Sequence, residues 1–453
     1  MSDTPLTTEQ KTEQLALQGG LKAVSTIEGK GQPKIGAEEF VSVAERFGFE
    51  GDELARIRDI AETRDWEQGP FLANYYSDLP ETKVNAFERV AKEVMGAPFA
   101  TGVSSGTGAL HSAFVACGVG PGREVICPAV GFYATAAAVA MAGGVPVFCD
   151  VDESLSMDPD KLDHLINERT VALAPTHTMG GICPMDRIMQ VARKHNLKVV
   201  EDCAQSCGGR LNGQFVGTFG DFGCFSISAY KIVGGGEGGL VLCKNQEDWD
   251  RVNGLAEGGG LWRPNRFGET RYEGELIIGG NYRMSEIEAA VDVVQMSKME
   301  QTVGRFREAF GRIISQLETF TEITPKLRHT PDGEVGYTLR FFSESVELAV
   351  KIAEALNAEG VGAGTRGGDG NPDWHIYHHM LPLKQHFACN CYDGDGQSTY
   401  AHGTCPVADD LFERMVSIGI NQWYTQSDCD HIAAGINKVL RAYCTPAAGG
   451  RPW

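Results

Sequence analysis

Between Phe99 and Asp202 the chain alternates short, continuous apolar runs with amphipathic stretches, and that alternation leaves few folds open. Residues 99–105, 124–127, 145–148, 171–174 and 199–201 read as strands. Between them lie helical patterns. One begins near Thr107, with Leu110, Ala113, Phe114 and Cys117 at the i, i+3, i+4, i+7 positions of a helix face. Others cover 133–142, 158–166 and 185–195, the last presenting Met185, Ile188, Met189 and Ala192. Strands apolar at nearly every position have both faces buried, so the expected architecture is α/β, a largely parallel sheet covered by helices on each side.

Helical spacing also marks 34–49, 54–63 and 85–95, and a long stretch from Ser285 that shows Ile287, Val291 and Val294 on one face. A strand at 337–342, a helix at 345–357 and an amphipathic run at 429–443 suit a smaller α+β lobe. The expected organisation is a flexible lead-in at 1–32, a large domain with N-terminal helices at 33–295, and the smaller domain at 296–453. Residues 362–373 read as a Gly/Asp-rich loop, and the aromatic stretch 65–77 shows no period.

The chain has 453 residues and a net charge of −20, with no long basic run, which argues against nucleic acid and anionic membranes as partners. No run approaches the ~20 apolar residues of a membrane helix. The polar N-terminus lacks the apolar centre of a signal peptide, so the expected location is cytoplasmic. Thirteen cysteines without such a signal read as reduced thiols.

Chemistry concentrates between Leu197 and Gly239. Glu201 and Asp202 close an apolar strand, and Lys231 stands before a glycine cluster that includes Gly234, Gly235, Gly236, Gly238 and Gly239. Either feature alone is ordinary: an acid ending a strand is often a cap, and a lysine near glycines is often a solvated loop residue. Together they suit pyridoxal 5'-phosphate. The lysine amine forms the Schiff base, and the carboxylate pairs with the protonated pyridine nitrogen. Ser105-Gly106-Thr107 opens a helix, where unpaired amides and the helix dipole favour a phosphate as readily as a simple N-cap.

The motifs E-D-x-A-Q-x-x-G, G-x-x-G-D-x-G-x-F-S, and then K and G-E-G-G, with N-Y-R-M-S-E further on, carry a resemblance. It covers nearly the whole chain. In these motifs the chain resembles the DegT/DnrJ/EryC1/StrS aminotransferases, fold-type I pyridoxal-phosphate enzymes that aminate keto sugars and cyclitols. The resemblance implies Lys231 and Asp202 as the catalytic pair, with Lys231 also the proton-shifting base. It implies Gly106, Thr107 and Ser226 at the phosphate, Phe132 stacked on the ring with Tyr133 as the alternative, and Gln205 against the ring face. Gly131 stands where the family usually has threonine. Asn281 would reach the cofactor phosphate of a neighbouring subunit, which makes the expected assembly a homodimer with shared active sites. The donor would be L-glutamate or L-glutamine and the acceptor a keto sugar or keto cyclitol. Trp374, His375 and Tyr377 would line the substrate pocket. Three rival readings remain: a dehydratase of the same fold, which has histidine in place of this lysine, a non-catalytic cofactor-binding sensor, and a metal-binding or interaction protein that uses the His/Cys-rich C-terminal lobe.

Gly118–Gly122 imitates a dinucleotide loop but contains Pro121 and follows a helix, so it reads as a turn. His375, His378, His379, His386, Cys389, Cys391, His402 and Cys405 suggest metal binding, yet no C-x-x-C pair accompanies them, and the expectation is no metal.

Overall fold

The computed structural model describes residues 7–24, 26, 34–66, 72, 79–263, 265–366, 372–385 and 400–453. Most of the aromatic stretch 65–77, part of the 362–373 loop, and His386, Cys389 and Cys391 lie outside the described residues. The chain divides into two compact units, residues 1–72 and 73–453.

In the first unit, α1 (Thr8–Glu13), α2 (Ala37–Arg46) and α3 (Gly51–Glu62) are the α-helices among the described residues. Glu39 accepts from the Gly36 N–H and so closes the first turn of α2, while Val41 and Ala44 are its buried side chains.

The second unit opens with α4 (Lys83–Met95), capped by Thr82, and β1 (Phe99–Val103). There follow α5 (Gly106–Ala116), β2 (Glu124–Pro128), α6 (Ala134–Met141), β3 (Val145–Cys149), α7 (Pro159–Leu162), β4 (Thr170–Leu173), α8 (Met185–His195) and β5 (Lys198–Asp202). A small hairpin, β6 (Arg210–Leu211) with β7 (Gln214–Phe215), precedes β8 (Phe222–Ser226) and β9 (Gly239–Cys243).

The main sheet has the order β1-β9-β8-β5-β4-β2-β3. Its β3-β2-β4-β5-β8 part is parallel, as the alternation requires, and β9 runs antiparallel between β8 and β1. The pattern GLVLC that forms β9 directly follows the glycine cluster, where the apolar run is too short to be separated from a loop. One face of the sheet packs Leu110, Phe114, Val139 and Val252; the other packs Phe87, Ile188, Met296 and Met299. Burying each such aliphatic or aromatic side chain contributes roughly 1.5–3 kcal/mol, so the two-sided cover holds the sheet together.

Beyond α9 (Gln246–Ala256), helices α10 (Glu286–Ser297) and α11 (Met299–Ile314) lead to a second sheet. It comprises β10 (Ile323–Pro325), β11 (Thr338–Ser343), β12 (Ala363–Thr365) and β13 (Met415–Gly419), in the order β10-β11-β13-β12 and wholly antiparallel. Helices α12 (Val346–Ala358), α13 (Leu381–Gln385), α14 (Pro406–Glu413) and α15 (Gln426–Tyr443) complete the chain. Among the described residues no helix is long and apolar enough to cross a membrane.

Candidate active site

The carboxyl ends of the parallel strands all open on one edge of the main sheet, which is where open α/β sheets offer a crevice. Asp202 is the last residue of β5 and is buried. Its Oδ2 accepts from Thr135 Oγ1 at 2.6 Å and its Oδ1 from the Ala204 N–H at 3.0 Å. Two donors leave a carboxylate further accepting capacity, so a third, charged donor can still be held there.

Glu201, one residue earlier, has a different task, because strand alternation sends it to the opposite face. Its carboxylate accepts from the N–H groups of Gly217, Phe219 and Gly220 at 2.8, 2.8 and 2.6 Å, and lies 3.0 Å from His177 Nε2. The Cys183 N–H donates to His177 Nδ1 at 3.1 Å, so Nε2 carries the ring proton and donates to Glu201. Glu201 thus fastens the end of β5 to the turn before β8. No pattern in the sequence marks His177 or Thr135 for these parts. Both arrive from other crossovers.

Lys231 lies in the loop joining β8 to β9, its N–H bonded to Ser228 O at 2.9 Å. The side chain is half-buried. Burial makes the amine less basic than an ordinary lysine, while Asp202 works in the opposite sense. A larger share of the amine is therefore neutral near pH 7, the form that can attack a carbonyl or take a proton.

Gly106 begins α5 against β8. A Cβ there would stand 2.7 Å from Ser226 Cβ, so the close contact between the helix start and Ser226 needs glycine. At Gly239 a Cβ would stand 2.3 Å from Ser105 O, for the same reason. Ser105 Oγ accepts from the Gly108 N–H at 3.0 Å, and the first turn of α5, with Thr107, presents its remaining amides beside Ser226.

The opposite wall is a pairing that sequence cannot show. Residues after β2 run antiparallel to residues 374–377: the Gly131 N–H donates to His375 O and the Tyr133 N–H to Trp374 O, both at 2.9 Å, and the Tyr377 N–H to Ala129 O at 3.0 Å. Phe132 is 43% exposed, and its ring lies 5.2 Å from that of His375. Tyr133 faces Trp374 at 5.0 Å. Gly131 leaves its space to Thr176, whose Oγ1 a Cβ would approach at 3.3 Å. Tyr377 does not reach the crevice. It is fully buried, with its hydroxyl 3.0 Å from Ala401 O and 3.1 Å from Asp409 Oδ2.

A cavity of about 640 Å³ has Gln205, Lys231, His375, Tyr337, Arg340 and Arg366 in its lining. Gln205 Oε1 accepts from the Met179 N–H at 2.8 Å, which fixes the amide in place. Arg340, from β11, is held by Ser417 Oγ at 3.0 Å and Met179 O at 3.4 Å, and burial lowers its guanidinium to about 10. Arg366 pairs with Asp373 at 2.5 Å, and Asp373 accepts from His375 Nδ1 at 2.8 Å. Neither arginine stands in a pattern that sequence analysis could single out. Asn281 lies elsewhere, on an exposed bridge to Glu257, its Oδ1 accepting from the Arg283 N–H at 3.4 Å.

These residues fit pyridoxal phosphate: a buried carboxylate with free lone pairs, a lysine of reduced basicity, an anion-ready helix start beside a serine, and an exposed aromatic face.

Residues 74–437 match the model of the DegT/DnrJ/EryC1/StrS aminotransferase family. A GDP-perosamine synthase of Caulobacter vibrioides is 32% identical over 365 residues, covering 78% of this chain and 89% of its own. An L-glutamine:2-deoxy-scyllo-inosose aminotransferase of Streptomyces kanamyceticus is 34% identical over 267 residues, 56% of this chain and 62% of its own. The crystal structure of NtdA from Bacillus subtilis with bound cofactor PMP superposes with a TM-score of 0.66 at 23% identity, over 80% of this chain and 78% of that one, a likeness of fold.

Proposed function

The chain belongs to the DegT/DnrJ/EryC1/StrS aminotransferase family, and from that premise we propose that it moves an amino group from L-glutamate or L-glutamine to a keto sugar or keto cyclitol. The observation that carries the proposal is Lys231, with its reduced basicity, on the wall of a cavity beside Asp202. Pyridoxal phosphate, when bound, supplies the electron sink and carries the amino group between the two half-reactions.

The protein's own groups do the rest. Asp202, aligned by Thr135 and Ala204, would keep the pyridine nitrogen protonated. The start of α5 with Gly106, Thr107 and Ser226 would hold the phosphate, and Phe132 and Gln205 would flank the ring. Lys231 Nζ would take a proton from the donor's α-carbon and return it on the other side of the exchange. Arg340 and Arg366 give the cavity positive groups for a carboxylate donor, and His375 lines its acceptor side, while Trp374, expected there from sequence, packs on Tyr133 and is not part of the lining. The names of the relatives, one a sugar-nucleotide enzyme and one an inosose enzyme, support a polyhydroxylated ketone as acceptor.

The test is a screen of keto sugars, their phosphates and inososes against the amino-loaded enzyme, followed by cofactor absorbance. A ketone that returns the aldehyde spectrum identifies the acceptor class. If only simple 2-oxo acids react, the acceptor assignment fails while the transaminase assignment stands.

A further inference from the structure

Behind the wall that carries His375, three side chains from separate segments converge: His378, His402 and Asp409. His378 Nε2 lies 3.5 Å from Asp409 Oδ1, and His402 Nε2 lies 3.9 Å from Asp409 Oδ2. Their ligand atoms all fall within 4.8 Å of one another. We propose that these three residues bind a late first-row divalent cation, with Zn²⁺ as the reference ion.

Asp409 carries the argument. It is 4% exposed, and its Oδ1 is buried with no hydrogen-bond partner among the described residues. Its Oδ2, in contrast, accepts from the Gly403 N–H at 2.7 Å and lies 3.1 Å from the Tyr377 hydroxyl. One oxygen oriented by outer donors and the other left bare is how protein interiors present a metal-ligating carboxylate. The bare oxygen faces an imidazole nitrogen beyond hydrogen-bond length, and an ion between them would satisfy both.

Two imidazole nitrogens with one carboxylate oxygen match the preference of zinc. Bonds of ~2.0–2.2 Å put tetrahedral ligand atoms ~3.3 Å apart, so the His378–Asp409 spacing of 3.5 Å is already suitable. The His402 side chain is 59% exposed, so a rotation at the surface can close the rest. Glu413 Oε1, 3.3 Å from His402 Nε2, or water can take the fourth position. The nearby cation, Lys384, is turned to His378 O at 3.2 Å. The site departs from the expectation of no metal, which rested on the missing C-x-x-C pairs. Here the ligands are brought together by folding rather than by close spacing.

The ion would act by positioning. Tyr377 precedes His378 and is bonded both to Ala129 and to Asp409. A metal at this place would clamp the 374–377 segment, and with it His375, to α14.

The test uses the full-length, cofactor-loaded protein. Zn²⁺ is titrated against a chromophoric chelator, and thermal unfolding is followed with and without the ion. The expected result is one ion per chain, an affinity at least ~10-fold weaker in His378→Ala and in His402→Ala, and a zinc-dependent rise in Tm that both variants lose. His402 is exposed, so its variant should keep the cofactor absorbance of the parent, which separates lost ligation from lost folding. A parent protein that binds no zinc, or equal affinity in the double variant, would overturn the proposal.

Discussion

Asp202 and Glu201 show how much a single position decides. Adjacent in sequence and identical in charge, they face opposite sides of β5, one toward the crevice and one toward His177. Asp202→Ala is expected to keep part of the cofactor but lose most of the rate, since deleting one partner of a buried ion pair typically costs about 3–5 kcal/mol. Near-normal turnover in that variant would assign the ring nitrogen to another group. Thr135→Val should show a smaller loss in the same direction, because it removes one donor that aligns the carboxylate. Borohydride reduction followed by peptide mapping should place the cofactor on Lys231. Lys231→Ala should take no adduct there and should not turn over. An adduct on a different lysine would defeat the assignment.

Among the larger pieces of the fold, the 374–377 segment and α10 each carry a prediction. Trp374→Ala and His375→Ala should leave the donor half-reaction unchanged and slow the acceptor half-reaction, as stopped-flow absorbance of the separate halves would show. If neither half responds, the segment is structural only. Helix α10 buries Asp292 beside the half-buried Glu288, and both oxygens of Asp292 lack a hydrogen-bond partner among the described residues. Burial first, and the Glu288 charge second, push Asp292 up to about 8. A carboxyl raised in the folded state stabilises fully below its unfolded pKa, and that contribution is lost as pH rises through the folded value. Stability should therefore fall between about pH 4 and pH 8. Asp292→Asn should flatten that slope and raise Tm at pH 8 by about 2 °C or more. Identical Tm–pH curves for parent and variant would show that the pair does not titrate in this window.

For the whole molecule the proposal is a homodimer with composite sites. Asn281 lies outside the cavity of its own chain, at the end of a hydrophilic excursion on which Phe267 and Ile278 are almost fully exposed, at 100% and 98%. Apolar side chains displayed on a polar loop suit coverage by a second copy, and two-fold symmetry would place each Asn281 at the other subunit's phosphate. Lys231→Ala and Asn281→Ala chains, each weak alone, should regain activity when refolded together, because a mixed dimer holds one intact site. Sedimentation as a monomer, or verified heterodimers without recovery, would refute the shared site.

The alternating α/β order, the bounds of α8, and the motifs around Asp202 and Lys231 are all legible in the linear chain. Periodicity and motif spacing are local properties, and each of these features is written within a few dozen residues. Folding alone brings β9 into the sheet antiparallel, sets Thr135 and His177 against the two carboxylates, places Arg340 of the second sheet on the same cavity as Lys231, and turns Tyr377 inward toward Asp409. Those relations join residues tens to hundreds of positions apart. What brings them together is the burial of two faces of one sheet and the pairing of strand edges, which a linear pattern does not record.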